Sequence, residues 1–388
     1  MARLITILHR GEICSPEGKS GSCWRLARHL TNLAFKGLLM NGAAARRFSL
    51  VAILTALFSC PTAGKGEENT PTNAPAFPIK QKAGDLICGI TRAVCYSPFR
   101  HGQRPGGPNP SEQEILEDLR ILCREGQFHL LRTYDADDTT ETALRLIEAH
   151  HLKISVMLGA WLRAEVVNTN CPWLKTPTPP EELAQNRAMN AQEIERAIRL
   201  ANRYPKIVVA VAVGNEALVD WNDHLVPVET VIGYVRHVRH SVNQPVTVCD
   251  NYAWWAQNGL ALAREVDFVS IHTYAEWDGK DIDEAMPYTI ANVQRVRDAL
   301  PHSRIVITEA GWATAGSQFG SRASQEKQKR YYDSLFAWAG KMNITTFWFE
   351  AFDEDWKGNP KNALDAEKFW GLYTVDRQPK LAVSPDSD

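Results

Sequence analysis

The chain carries no surplus of either charge, with 43 Lys and Arg set against 45 Asp and Glu in 388 residues. No long run of a single sign occurs, so the composition gives no footing for a polyanion and nucleic acid is not expected as a partner. Pairs of the form CxxC are missing, as are HxH and HExxH, and with them the usual spacings of a zinc site. The adjacent His150 and His151 fall at the end of a helical pattern, where imidazoles suit the negative end of the helix dipole. No metal and no cofactor is therefore expected. A Gly-rich phosphate turn is absent after the first candidate strand, ITRAVCYSPF, which removes the usual mark of a doubly wound nucleotide-binding sheet. Aromatic residues, in contrast, are plentiful: 12 Trp and 10 Tyr supply flat amphipathic rings that suit stacking on sugars as well as core packing.

From Met40 the sequence reads MNGAAARRFSLVAILTALFSC, with two arginines, an apolar run of about a dozen residues, and Cys60. A positive start followed by a short apolar stretch is a secretory pattern, too short to span a bilayer comfortably. It is similar to a bacterial lipoprotein signal, in which the cysteine at the cleavage point is lipidated, although Phe58 replaces the small or aliphatic residue usual there. Residues 1–39 have no comparable pattern and are expected to be an untranslated or disordered leader, with Met40 as the start. Residues 40–60 then form the signal, and 61–83, rich in Pro, Thr, Asn and charge, a solvated tether. Residues 84–382 form the folded domain and 383–388 a short tail. The expectation is an exported, monomeric protein of the periplasm or cell envelope, touching a membrane only through a lipid at Cys60. Cys88, Cys95, Cys123, Cys171 and Cys249 remain for the folded part, an odd number that leaves at least one thiol unpaired.

Short β-branched runs recur from residue 84 onward, each followed by a segment of helical period. FHLLRTYDAD precedes TTETALRLIEAHH, IVVAVAVGNEAL precedes VETVIGYVRHVRHSV, and RIVITEAGWATAG precedes SQEKQKRYYDSLFAWAGKM. Ser111 and Glu114 form a capping-box pattern at the start of SEQEILEDLRILCREG. Eight such repeats in about 300 residues are what a (β/α)8 TIM barrel requires, with each strand buried on both faces. Tyr96, Tyr134 with Asp135, Trp161, Asn215 with Glu216, Asp250, His272 with Tyr274, Glu309 and Glu350 all close their apolar runs. In such a barrel those ends converge on one face, where catalytic groups are found.

Glu216 ends the fourth strand and Glu309 the seventh, on opposite sides of an eight-strand ring. Either glutamate alone reads as an ordinary strand-end ion pair. Two carboxylates facing each other across an apolar mouth are the apparatus for breaking a glycosidic bond, one protonating the leaving oxygen while the other attacks. A separation of about 5 to 5.5 Å excludes water and gives retention through a covalent intermediate.

VAVGNEA and VITEAGWATAG resemble the strand-four and strand-seven motifs of glycoside hydrolase family 17, and the likeness extends over residues 86–380. WFEAFDEDWK is similar to that family's FDE-x-WK ending, with Glu354 and Lys357 as the matching pair, and AVCYSPF resembles bacterial and fungal members rather than plant ones. Ala310 stands where Thr or Ser is more frequent. The resemblance implies a retaining enzyme of β-1,3-glucan, with Glu216 as acid/base and Glu309 as nucleophile. It leaves open a glucanosyltransferase, in which a second sugar resolves the intermediate, and a non-catalytic glucan-binding lipoprotein. Asn215 is expected to donate to the sugar 2-hydroxyl, Tyr274 to hold the nucleophile ionised with His272 as a weaker candidate, and Glu350, Glu354 and Lys357 to hold sugar hydroxyls or orient the nucleophile. Tyr96, Tyr134, Trp161, Trp255 and Trp312 offer flat faces or hydroxyls near the mouth. Mass analysis of the mature protein is expected to find a chain beginning at a lipid-bearing Cys60; a mature chain that retains Met1 overturns that reading.

Overall fold

A computed structural model of the chain describes Ile87 and residues 89–384. The leader, signal and tether lie outside the described residues, and so do Cys60, Cys88 and the last four residues of the tail. Eight parallel strands close in chain order: β1 (Ala93–Cys95), β2 (Leu130–Arg132), β3 (Ser155–Ala160), β4 (Val208–Asn215), β5 (Val246–Asn251), β6 (Val269–His272), β7 (Ile305–Ala310) and β8 (Thr346–Trp348). The ring is sealed by β1 against β8, with Val94 opposite Trp348. This is the (β/α)8 barrel expected from the repeats.

Outside the strands run α1 (Glu112–Arg120), α2 (Asp138–Ala149), α3 (Pro180–Arg203), α4 (Val228–Ser241), α5 (Tyr252–Asn258), α6 (Leu260–Ala263), α7 (Ile282–Ala299) and α8 (Gln325–Met342). The capping box at the start of α1 forms as its sequence indicates: Glu114 N–H donates to Ser111 Oγ at 3.3 Å, and Ser111 N–H donates back to Glu114 Oε2 at 2.7 Å. The repeats differ from expectation in two places. Helix α5 begins at Tyr252, inside the run QPVTVCDNYAWW that the strand and helix repeats assign to a strand, because Asn251 caps it by accepting from Ala253 N–H. After β8 no α-helix follows among the described residues, only a 3-10 turn at Ala366–Lys368. Gly358, at φ 68°, lies on the way to it and suits a turn rather than a helix.

The missing helix is replaced by ion pairs. Arg377 makes a fork on Asp118 of α1, Nε to Oδ1 at 2.9 Å and Nη2 to Oδ2 at 2.8 Å, and Lys380 Nζ reaches Asp353 Oδ1 at 2.7 Å. Asp118 is 0% exposed and Lys380 is 3% exposed, so these pairs stand in the interior, where removing one partner costs about 3 to 5 kcal/mol.

Strand alternation sorts the core into two sets. Val94, Leu131, Val156, Leu158, Val211 and Val213 face the helices. Ala93, Cys95, Leu130, Met157, Ala210, Ala212, Cys249 and Phe347 fill the barrel. Small alanines on β4 leave room for Met157 and Phe347, so the interior is packed rather than open. Arg132 comes two residues after Leu130 and therefore points inward as well. Cys95, Cys123, Cys171 and Cys249 are all free thiols, so no disulfide joins the described residues.

Glu276 follows β6 and ties two rims of the mouth together, with Oε2 accepting from Ala313 N–H at 2.8 Å. Its other oxygen is buried without a partner, and burial pushes the carboxyl up to about 8. Because the folded carboxyl holds its proton far above the ordinary glutamate range, the stability it contributes is complete at low pH and is lost as pH rises through about 8. Glu276→Gln, which cannot ionise, is expected to gain thermal stability relative to the parent as pH rises from 6 to 9. A Tm difference that stays flat over that range contradicts it.

Candidate active site

Both glutamates stand where the strand ladder gains a residue. On β4, Ala212 pairs with Thr247 and Asn215 with Cys249, three steps against two, so one residue is extra. On β7, Ile271 pairs with Ile307 and His272 with Glu309, two steps against one. A bulge of this kind re-aims side chains that simple alternation would send to the other face. The GNE sequence accommodates it with Gly214 at φ 82° and Glu216 at φ 47°, both left-handed. Glycine takes that conformation freely, whereas at Glu216 it stores of the order of 1 to 3 kcal/mol of strain. The glycine in TEAGW has a different cause: a Cβ on Gly311 would lie 2.1 Å from Phe349 O, so no larger residue fits between β7 and β8.

The result is a pair of facing carboxyls. One oxygen of Glu216, one oxygen of Glu309 and a ring nitrogen of His272 all lie within 4.8 Å of one another. Glu309 is almost fully buried and is held from two sides. Arg132 Nη1 donates to its Oε1 at 2.6 Å and the Tyr274 hydroxyl donates to its Oε2 at 2.6 Å. Burial by itself would raise the Glu309 carboxyl, but the positive charges of His272 and Arg132, with the hydrogen bonds from Tyr274 and Arg132, outweigh it and hold it below the usual range. Glu309 is therefore bare at neutral pH. Tyr274 keeps its proton, since burial and the Glu309 charge push the phenol well above its ordinary value.

Glu216 is less enclosed, with its side chain 16% exposed. His272 Nδ1 donates to Glu216 Oε1 at 3.0 Å, and Asn222 Nδ2 donates to Glu216 Oε2 at 3.2 Å and to the Glu216 carbonyl at 3.1 Å. His224 Nε2 lies 2.8 Å from the carbonyl of Asn215, and its ring packs on Trp161 with centroids 4.6 Å apart. Arg132 also donates to Asn215 Oδ1, which fixes the amide and leaves its NH2 for another acceptor. Asp250, fully buried beneath this loop, accepts from Leu218 N–H at 2.9 Å.

Glu350, Glu354 and Lys357 form a second cluster beside the mouth. Lys357 Nζ sits 2.5 Å from Glu350 Oε2, 2.7 Å from Glu354 Oε2, and 4.5 Å from the Phe349 ring centroid. Glu354 Oε1 also accepts from Ser97 Oγ at 2.5 Å and Trp356 Nε1 at 3.0 Å. Burial, opposed by Lys357 and aided by the Glu354 charge, pushes Glu350 well above the carboxylate range. At Glu354 burial is outweighed by Lys357 and the hydrogen bonds, and its carboxyl is held down. The two carboxyls are thus pushed in opposite directions beside one ammonium.

Other sequence candidates sit elsewhere. Trp312 is 0% exposed, donates from Nε1 to Arg322 O at 3.0 Å and packs on Tyr331, so it belongs to the core and offers no face to a ligand. Trp255 is likewise buried, with Nε1 on Ser270 O. Tyr96 is 3% exposed and turns its hydroxyl outward to Asp118. Tyr134 remains at the mouth, its ring 4.7 Å under the Arg132 guanidinium carbon. Sequence reasoning passed over Arg132, Asn222 and His224. Arg132 gave the same signal as Glu216, a charge closing an apolar run in HLLR. Asn222 and His224 lie in a polar loop and gave none.

The cluster of Glu216, His272 and Glu309 is tight enough to hold a cation. Its charges are already matched from within: Arg132 contacts Glu309, and the carboxylate charges with Cys249 push His272 up to about 10 against the effect of burial. A charged imidazole directs N–H toward both carboxylates, which fits a donor and not a metal ligand.

Two carboxyls, one bare and one open to the mouth at a gap sized for a sugar carbon and its leaving oxygen, are the requirement for glycosidic cleavage, and on a closed parallel barrel they define a glycoside hydrolase. The chain belongs to the BtgE/BtgC glycoside hydrolase domain family, whose profile matches residues 93–371. It is similar to a glucan 1,3-β-glucosidase of Arthroderma benhamiae, 27% identical over 72% of this chain and 87% of that protein. A putative glucan endo-1,3-β-glucosidase, btgC, of Aspergillus niger is 27% identical over 71% of this chain, which spans only 41% of that longer protein. Among solved structures, an endo-laminarinase from Formosa Hel1_33_131 superposes with a TM-score of 0.64 at 26% identity, over 78% of this chain and 88% of that one. A family 17 β-1,3-glucanosyltransferase from Rhizomucor miehei shares the fold, with a TM-score of 0.58 at 22% identity over 76% and 96%.

Tyr274→Phe removes one of the donors that keep Glu309 bare. A hydrogen bond to a charged group is worth about 1.5 to 3 kcal/mol, and about 1.4 kcal/mol corresponds to one pH unit. The acid limb of kcat/KM is expected to move upward by about one unit. A limb that stays in place rules out this role for the phenol.

Proposed function

We propose that the protein is a retaining β-1,3-glucan hydrolase of the family 17 type, with Glu309 as nucleophile and Glu216 as acid/base. The carrying observation is that the two carboxyl groups bring oxygens within 4.8 Å of one another. That gap fits the close pairing of retaining enzymes, and an inverting pair, about 6.5 to 9.5 Å apart, would leave room for water. Glu309 attacks the anomeric carbon while the proton of Glu216 passes to the departing oxygen. Glu216, now a carboxylate, takes a proton from the incoming water as that water displaces Glu309. Asn215, its oxygen occupied by Arg132, presents its NH2 to the sugar 2-hydroxyl, a contact that strengthens as charge develops at the anomeric carbon.

β-1,3-linked glucan as substrate is supported by the names of the relatives and of the Formosa structure. A non-catalytic glucan binder has no need of a bare buried carboxylate opposite a second one. Attack by a second sugar in place of water uses the same carboxyls. The half-buried Trp161 and His224 pair lies beside Asn215, next to Glu216 in the chain. Export with a lipid at Cys60 fits a polysaccharide met outside the cytoplasm and rests on residues 40–60.

Purified protein given laminari-oligosaccharides is expected to release shorter β-1,3-glucans whose new reducing ends start in the β configuration; products longer than the substrate mark transfer. Glu216→Ala is expected to lower turnover of sugar-leaving substrates about 10²- to 10⁴-fold. Glu309→Ala is expected to abolish turnover, and a Glu309→Ala protein that matches the parent removes the assignment.

A further inference from the structure

In the retaining reaction the negative charge changes place. It begins on Glu309, vanishes there when the ester to the anomeric carbon forms, and reappears on Glu216 when its proton leaves with the aglycone oxygen. The donors around the two groups differ in what they can follow. Arg132 and Tyr274 contact Glu309 and not Glu216. Asn222 contacts Glu216 and not Glu309. Among the described residues His272 alone reaches both, its Nδ1 at 3.0 Å from Glu216 Oε1 and 3.4 Å from Glu309 Oε2.

Resting on the family 17-type reading, we propose that His272 is a positioning residue whose single Nδ1–H follows the charge, shared with Glu309 before the ester forms and with Glu216 while the ester stands. The imidazole has no freedom to leave. It is 0% exposed, and register places it between Asn251 of β5 and Glu309 of β7. The titratable groups that face it are Glu216 just after β4, Cys249 and Asp250 from β5, Glu309 from β7 and, further off, Arg132 from β2. Charge can then pass between carboxyls without a fresh donor having to be brought up, the condition under which a preorganised site stabilises a moving charge.

The arrangement makes the two chemical steps unequal in their need for His272. While Glu309 is the anion, Arg132 and Tyr274 still hold it. While Glu216 is the anion, only the neutral amide of Asn222 remains. Loss of the imidazole therefore falls on the second step, in which Glu216 must be bare to take the proton from water.

The test uses the full protein with a 2,4-dinitrophenyl β-laminaribioside, whose leaving group departs without a proton and so spares the first step any need of Glu216. His272→Leu removes donor and charge, whereas His272→Asn keeps an N–H near the Nδ1 position without the charge. His272→Leu is expected to release about one equivalent of dinitrophenolate in a rapid burst, then turn over at least ~10-fold more slowly than the parent, with the acid limb of kcat displaced upward. His272→Asn is expected to recover part of the steady rate. Azide, which attacks the ester without a base, is expected to relieve the slow phase and yield a β-glycosyl azide. Both steps slowed alike, with no burst and no azide effect in either variant, overturn the proposal; where His272→Leu does not show a cooperative thermal transition, His272→Asn against the parent decides. A parent protein that leaves the laminaribioside untouched overturns the functional reading instead.

Discussion

A guanidinium sealed inside the barrel organises everything at its mouth. Arg132 is 1% exposed, and from β2 it reaches the Glu309 carboxylate and the Thr308 carbonyl on β7 and the Asn215 amide oxygen on β4. Taking an ion of this size out of water costs several kcal/mol, and the cost is recovered only through well-placed acceptors. Those acceptors come from strands that never touch one another in the sheet, so the side chain is a spoke across the ring as well as a partner for the nucleophile. The site and the cross-bracing of the barrel share one contact.

From that contact the charges balance outward in pairs. Glu309 is matched by Arg132 and steadied by Tyr274, while His272 stands between the two catalytic carboxyls. Nearby, Lys357 serves two carboxyls, of which burial pushes Glu350 up while the ammonium helps hold Glu354 down. In both clusters the buried ammonium, guanidinium or imidazole touches a carboxyl, whereas an isolated buried charge would cost far more than any single hydrogen bond returns. The strain at Glu216, φ 47° in a residue with a full side chain, is tolerated because both its oxygens and its carbonyl are tied down by neighbours.

Period and composition made the barrel legible, since parallel strands buried on both faces leave β-branched runs with few alternatives. The two glutamates were legible for the same reason, as charges where the run should end. What stayed hidden depends on tertiary facts. Trp312 and Trp255 look like rim aromatics because they follow strands, yet their indole N–H groups find carbonyl partners inside and the rings turn to the core. Tyr96 is drawn outward by Asp118 on a helix. Asn222 and His224 acquire roles only because the bulge in β4 folds their loop back over Glu216. The helix expected after β8 is absent among the described residues because the residues that repeat a helical spacing there form a 3-10 turn, and Trp370 just beyond it packs on Tyr274.

Where that helix would stand, the chain returns to the first units of the barrel, Arg377 on Asp118 and β8 beside β1. The seam of the cylinder is thus made from its first and last segments. During synthesis β1 has no partner on that side until roughly the whole domain has emerged, since non-local pairing waits for the distant strand. A nascent chain halted after β7 would hold Glu216, Arg132 and Glu309 in sequence but in an open sheet with two bare edges, prone to pair with other chains before it could bind a sugar.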